Sequence, residues 1–485
     1  MVAVNGEPDG TPEGGGSAAV DGDFFNRRST MSRVIAAIST AAAPAGLGVI
    51  RLSGENAIEV ACRFFRPRSK TKTLEEAGGN TALLGWVFDA DGDIDECVAL
   101  VFRAPHSFTG ENVVELSCHG GLYILQRTLR AAIQAGARPA QAGEFTRRAF
   151  VNGKMDLTGA EAVMDLISAG GRLAAKSALV THEGALFRRM QGICGHLTEA
   201  AANLAAFVDY PDDDIPELQP RELEKVLKKA EAELSGLLDR FDAGRVVREG
   251  IDTVIAGRPN VGKSTLMNLL AGCERSIVTP VAGTTRDIIE ETIRLGDVVL
   301  RLADTAGQRS TTDEIESIGV NRARKRMERA ALVLAVFDGS QPLDQDDRIL
   351  AETAAATTSI AIINKSDMGK MIDEKYIRGL FKHTVILSAR VGEGLDELER
   401  AVLEVSGVAA LNDTDLLLAN ERQRDCACRA LECVREAVSS VNIGMTLDAV
   451  GVSIDGAISA LLELTGEKTT EAVVNEVFSR FCVGK

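Results

Sequence analysis

Residues 251–272 read IDTVIAGRPNVGKSTLMNLLAG, and the order of the parts in this stretch decides the fold around it. IDTVIA is a short apolar run rich in β-branched residues, the composition of a buried strand. GRPNVGKS, residues 257–264, is a Gly-x-x-x-x-Gly-Lys-Ser loop, and STLMNLLAG behind it carries apolar residues at helical spacing. Strand, glycine loop and helix in that order let backbone N–H groups turn inward at a helix N-terminus, so the stretch predicts a phosphate cradle. An ordinary Gly-rich turn would need neither the strand before it nor the helix after it. The N–H groups of Asn260, Val261, Gly262, Lys263, Ser264 and Thr265 are expected to surround the phosphates. Lys263 should reach the β- and γ-phosphates, and Ser264 should offer its hydroxyl to Mg2+.

Outward from this loop, strands and helices alternate from about residue 249 to 408, which predicts a parallel sheet covered by helices. The runs LRLAD, LVLAVFD, IAIINK and TVILSA are further strand candidates. Three more motifs stand at strand ends. In DTAG, residues 304–307, Asp304 is placed to hold Mg2+ through water and Gly307 to meet the γ-phosphate, with Thr305 and Ala306 between them. In NKSD, residues 364–367, the Asp367 carboxylate faces the ring N–H and exocyclic amine of guanine, a donor pair that adenine lacks. Asn364, Lys365 and Ser366 complete that loop. In SAR, Ser388, Ala389 and Arg390 would back the base. The stretch IVTPVAGTTRD, residues 277–287, lies between the first two motifs. Thr285 is its candidate Mg2+ ligand, and Gly283 gives the loop freedom to move. Motifs in this order predict a GTP hydrolase.

The remaining sequence frames that unit. Residues 1–32 are rich in Gly, Pro and acids and should form a disordered tail. Residues 33–152 mix short β-rich runs (VIAAIST, GVIRLSG, CVALVFRA, NVVELSCHGG) with a helix at 122–135, an α+β domain. Residues 153–248 turn helical, and residues 409–485 return to a helical pattern. Helices on both sides predict a G domain inserted into one helical domain, within a multidomain α/β chain.

Composition sets limits. The net charge of −16 over 485 residues excludes a uniformly basic nucleic-acid binder and requires a local basic patch or a second protein if RNA is bound. Nine cysteines include no CxxC pair, and Cys426, Cys428 and Cys433 lack zinc-ligand spacing. Scattered thiols fit a reducing, cytoplasmic compartment, and no apolar run approaches a membrane span.

With these motifs in hand, the sequence resembles the MnmE (TrmE) family of tRNA-modification GTPases over nearly everything after Met31. The resemblance is carried by GRPNVGKS with Asn260, AGTTRD, SFTGENVVELSCHGG, GEFTRRAFVNGKMDL and the tail FCVGK. It implies an N-terminal folate-binding and dimerisation domain, a homodimer, and a heterotetrameric complex with an MnmG-type flavoprotein acting on tRNA. The family adds an aminomethyl-type group to C5 of the wobble uridine with a tetrahydrofolate one-carbon unit, such as 5-formyltetrahydrofolate, while GTP hydrolysis drives conformational change.

By that resemblance Arg51, Glu115, Lys154 and Lys485 line the folate pocket. Lys and Arg suit its acidic tail, and a carboxylate suits the pterin edge. Cys482 in the tail is a catalytic candidate or a packed thiol. The resemblance also implies that a potassium ion takes the place of an arginine finger, with Asn260, Thr279, Val281 and Thr284 as its ligands in a loop that includes Pro280 and Ala282. Glu316 would orient the attacking water, and Arg286 and Asp287 join Lys263 among the catalytic candidates. Two departures stand out. Gln308 follows DTAG where the family carries an apolar residue, so it either competes with Glu316 for the water or supplements it. AAAPAGLG, residues 41–48, replaces a loop richer in Pro and Arg. A rival reading, a GTPase timer of ribosome assembly, would call for a basic RNA-binding module in place of the FCVGK tail.

Overall fold

The structure is a computed structural model that describes residues 33–209, 220–272, 291–302, 327–412 and 415–485. It comprises two compact units. One joins the chain up to Lys154 with Val474–Lys485, and the other is Met155–Val473. The first unit thus runs two residues past the expected boundary at 152 and takes in the last part of the 409–485 segment.

The first unit is built on β1 (Ile35–Ile38), β2 (Leu47–Ser53), β3 (Phe65–Pro67), β4 (Thr81–Asp89), β5 (Gly92–Phe102), β6 (Val113–His119) and β7 (Arg138–Pro139). They form one sheet in the order β3-β4-β5-β6-β2-β1-β7. Its pairs are antiparallel except β1–β7, which is parallel. The four β-rich runs read from the sequence are β1, β2, β5 and β6. The strands β3 and β4 were not among them, because Gly85 and the flanking basic residues dilute their pattern. Helices α1 (Ala57–Cys62), α2 (Leu122–Gln134) and α3 (Glu144–Val151) complete the unit. On α2 the buried residues Leu125, Thr128, Ala131 and Ala132 recur at three- and four-residue spacing and face the sheet. Beside them Ile50, Leu52, Val114 and Leu116 fill the same core from the paired strands β2 and β6.

Arg148 on α3 is completely buried. A guanidinium in that position needs partners. It donates to Glu111 at 2.8 and 3.1 Å, to Glu144 at 3.2 Å and to the Arg33 carbonyl at 3.0 Å. Ser53 Oγ bonds both Glu111 and the Thr109 hydroxyl at 2.7 Å. Burial alone would raise the Glu144 carboxyl, but Arg138, the Gln141 N–H and Arg148 outweigh it and hold the group below its ordinary range. Much of SFTGENVV and GEFTRRAF is therefore spent on a buried ionic lock.

The second unit holds two cores. Helices α4 (Leu157–Ser168), α5 (Arg172–His182), α6 (Ala185–Asp209), α7 (Pro220–Asp239) and α8 (Phe241–Glu249) precede its sheet. The helical run from residue 220 is divided at Arg240. Following the sheet come α13 (Glu421–Asn442), α14 (Leu447–Thr465) and α15 (Glu471–Ser479), the last of which crosses into the first unit's segment. Met190 and Leu197 from α6, Leu227 and Leu234 from α7, Val434 from α13 and Leu461 from α14 lie in one hydrophobic core. Cys426 is buried in this core too, which pushes its thiol pKa up, and no metal-type cluster of His, Cys, Asp and Glu exists among the described residues. The helical pattern expected from residue 409 takes hold only at α13. It begins at Glu421, where Asn420 accepts from the Gln423 N–H as its cap.

The other core belongs to β8 (Ile251–Ala256), β9 (Glu291–Leu295), β10 (Val298–Leu302), β11 (Leu332–Asp338), β12 (Ser359–Asn364) and β13 (Thr384–Ile386), in the sheet order β13-β12-β11-β8-β10-β9. Around them lie α9 (Lys263–Gly272), α10 (Gln345–Ala355), α11 (Glu374–Leu380) and α12 (Leu395–Val405). The sheet is parallel as expected except at its edge, where β9 pairs antiparallel with β10. β11 is buried at every position, as a central parallel strand requires. Ala174 of α5 and Val247 of α8 also enter this core.

Helix α4 joins these parts through two carboxylates four residues apart. Glu161 receives both Nε and Nη2 of Arg422 at 2.9 and 2.8 Å and the Gln423 amide at 2.6 Å. Asp165, one turn on, is pushed up to about 6 by burial, against the pull of Arg248 on α8.

Candidate active site

β8 delivers the chain to residue 257 and α9 carries it away from Lys263, so the loop between them sits at the carboxyl end of a central strand. Asn260 and Gly262 take φ of 64° and 98°. At Gly262 a side chain is excluded twice over, because a Cβ would also overlap the Asn364 amide. Lys263 curls back over the loop, donating to the Gly257 and Arg258 carbonyls at 2.6 Å each, and burial draws its ammonium pKa down. Ser264 and Thr265 stand exposed beside it in the first turn of α9.

The guanine-side motifs converge on the same end of the sheet. Asn364, buried at the end of β12, donates from Nδ2 to the Val261 carbonyl at 2.8 Å and accepts the Ala389 N–H at 2.9 Å. One side chain thereby ties GRPNVGKS to NKSD and SAR. The buried Ser388 hydroxyl donates to Asp367 Oδ1 at 2.7 Å, which orients an otherwise exposed carboxylate. Lys365 occupies the left-handed region (φ 63°) and reaches Asp338, at the end of β11, at 2.6 Å. Burial would raise Asp338, but Lys365 and Ser340 hold it below the usual carboxylate range. Ser366 and Arg390 are exposed.

Asp338, Arg258, Asp344 and Asp347 were not singled out from the sequence. Their only local signal is Asp-x-x-Asp at 344–347, which forms a capping box at the start of α10. Thr279, Pro280, Val281, Ala282, Gly283, Thr284, Thr285, Arg286, Asp287, Asp304, Thr305, Ala306, Gly307, Gln308 and Glu316 lie outside the described residues.

The second candidate site lies in the first unit. Arg51 and Glu115 are register partners on β2 and β6, joined at 2.7 Å. The Arg51 guanidinium also lies 5.4 Å from the Phe108 ring centre and 5.6 Å from that of Phe145. Lys154 donates to the Pro105 carbonyl at 3.1 Å, and the Lys485 carbonyl accepts the Phe145 N–H at 3.2 Å. Arg51, Lys154 and the Lys485 backbone thus each meet the 105–108 segment or Phe145, and Glu115 joins them through Arg51. Cations, one carboxylate and aromatic rings fit a planar heteroaromatic group with an acidic tail. The tail itself is pinned. Val483 bridges Ala142, the Cys482 carbonyl accepts from Gly143, and Gly484 (φ 99°) packs so closely on the Ile38 carbonyl that a Cβ would collide with it. The Cys482 side chain is exposed.

Comparison with known proteins finds relatives over nearly the whole chain. The MnmE helical domain model matches residues 157–482, and the model for the GTP-binding protein TrmE N-terminus matches residues 34–154. The tRNA modification GTPase MnmE of Symbiobacterium thermophilum is 42% identical over 93% of this chain and 99% of its own length. Its namesakes from Acetivibrio thermocellus and Geobacter metallireducens are 38% and 39% identical, each over 93% of this chain and 99% of theirs. A phosphate loop, a guanine loop and relatives matched from end to end converge on one assignment: this chain is a GTP hydrolase that belongs to the MnmE family.

Proposed function

We propose that this protein is the GTP-hydrolysing component of a complex that adds an aminomethyl-type group to C5 of the wobble uridine of tRNA, using a tetrahydrofolate one-carbon unit. The observation that carries the reading is the coexistence, in one chain, of the Asn364-stitched nucleotide loops and, in the first unit, the Arg51–Glu115 pair and the pinned FCVGK tail. Relatives named for tRNA modification over nearly their full length support it.

In this reading the N–H groups of 260–265 and the Lys263 ammonium hold the β- and γ-phosphates. Lys263 leaves two backbone carbonyls for phosphate oxygens, and its partly buried position strengthens that attraction. Ser388 holds Asp367 ready to accept the two guanine N–H groups. Ser264 and Thr285 would hold Mg2+, and Asp304 is the further candidate on that side. Asn260, Thr279, Val281 and Thr284 would hold K+, which would supply positive charge beside the γ-phosphate. Glu316 or Gln308 orients the attacking water, and Arg286 and Asp287 are further catalytic candidates.

In the first unit Arg51, Lys154 and Lys485 bind the acidic tail of the folate and Glu115 its pterin edge. The folate would supply the one-carbon unit, and Cys482, exposed within FCVGK, is the catalytic candidate there. The G domain is inserted into the helical domain, a reading supported by the core that α6 and α7 share with α13 and α14. A homodimer, an MnmG-type flavoprotein partner and a cytoplasmic setting complete the proposal. No described helix is long and apolar enough to cross a membrane.

The test is mass spectrometry of tRNA nucleosides from cells lacking the protein. Loss of aminomethyl-type wobble uridines, restored by the wild-type chain, is the expected result. An unchanged nucleoside profile with altered ribosomal subunits would instead favour a role in ribosome assembly.

A further inference from the structure

Arg258 is the second residue of the phosphate loop, yet its side chain is engaged with a helix about 90 positions downstream. Its Nε donates to Asp347 at 2.8 Å, and Nη1 donates to Asp344. Those carboxylates are themselves fixed. Asp344 accepts the Asp347 N–H at 2.9 Å, and Asp347 accepts the Asp344 N–H at 3.3 Å, closing the capping box of α10. Asp347 is only 2% exposed, so its charge depends on the guanidinium for an ionic partner. At the other end of the same residue, the Arg258 carbonyl is one of the two oxygens that hold the Lys263 ammonium.

From this we infer that Arg258 is a positioning residue for GTP: by clamping the phosphate loop to the start of α10 it sets the carbonyl on which Lys263 rests, and so tunes affinity for the phosphates independently of base recognition. The clamp rests on the reading of residues 257–264 as the phosphate site. Its chemistry is specific to arginine, because a planar fork reaches two carboxylates at once and an ammonium reaches one. The base-recognising side chains, Asp367 and Ser388, share no bond with the clamp. Phosphate binding and base binding should therefore separate when it is cut.

The experiment uses the full chain with Mg2+ and compares binding of GTP, GDP and the phosphate-free nucleoside guanosine to the wild type, Arg258→Ala, Arg258→Lys and Asp347→Asn. Arg258→Ala is expected to weaken GTP and GDP about tenfold, the size of losing one charge-assisted pair. Guanosine affinity should stay within about twofold, and Arg258→Lys should recover only part of the loss. Asp347→Asn keeps the shape of the cap and removes the charge, so it should act in the same direction. Combined with Arg258→Ala it should add little, since both changes cut one link. Equal weakening of guanosine and GDP would mean a general loosening of the domain and would overturn the inference, as would unchanged GDP binding in both single variants. A wild-type chain that binds guanosine but not GDP would refute the phosphate-site reading itself.

Discussion

Asn364 shows how much a single side chain decides at this site. It is buried, and its amide uses the donor on the phosphate loop and the acceptor on the SAR loop. Neighbouring Asp367 has the opposite character: exposed, and held by a single hydroxyl. Changing Asp367 to Asn would replace an acceptor by a group that offers an amine where guanine also offers one. We expect GTP affinity to fall by roughly two orders of magnitude while xanthosine triphosphate, whose ring carries a carbonyl at that position, becomes the preferred ligand. Competition binding with the two nucleotides checks this, and retained preference for GTP would remove Asp367 from the base pocket. These residues were legible in the sequence because their spacing within short motifs encodes their chemistry. Arg258, Asp344, Asp347 and Asp338 were not. Each is an ordinary surface charge until the fold brings it to a partner dozens of positions away.

Among the elements, α4 illustrates what a helical repeat adds to such pairings. Glu161 and Asp165 share a face because they are four apart, and each meets an arginine, but from different helices: Arg422 of α13 and Arg248 of α8. Glu161 also lies close enough to raise Asp165, as does Glu249, while desolvation is the main cause. An aspartate whose pKa rises from 3.8 to about 6 on folding binds its proton more tightly in the folded chain. Its contribution to stability is complete below about pH 4, declines as pH rises to about 6 and is level above that. Asp165→Asn should abolish this slope. In urea unfolding, the variant's stability relative to wild type should improve by up to about 3 kcal/mol between pH 4 and pH 7. A pH-independent difference would show that Asp165 titrates normally. The pairing of the helices was only partly readable. Their amphipathic stripes predicted burial, but the break at Arg240 and the antiparallel edge strand β9 depend on what surrounds them.

For the molecule as a whole, the two compact units do not follow the run of the chain. The helical pattern of 409–485 does not itself set its last residues apart; only the family resemblance, through Lys485, ties them to Arg51 and Glu115, and they meet the first unit through backbone bonds to Ala142, Gly143 and Phe145 and the Phe150–Phe478 ring contact. Gly484 is the residue most exposed to test. Gly484→Ala must accept an unfavourable φ and a clash with the Ile38 carbonyl, at a cost on the order of 2 kcal/mol. Hydrogen exchange should quicken at the Gly143 and Phe145 amides, while GDP affinity, which belongs to the other unit, stays unchanged. Unaltered exchange there would show that the tail does not hold α3.

That pinned tail sets a schedule for biosynthesis. Between Lys154 and Val474 the ribosome must add 474 − 154 = 320 residues, roughly 16–64 s of translation at about 5–20 residues per second. For that interval the leading domain has emerged with the amides of Gly143 and Phe145 and the ring of Phe150 waiting for Phe478, Phe481 and the strand-like tail. A ribosome that stalls anywhere in the G domain releases a product whose first-made domain has never been sealed, and cellular proteases would meet it in that open form.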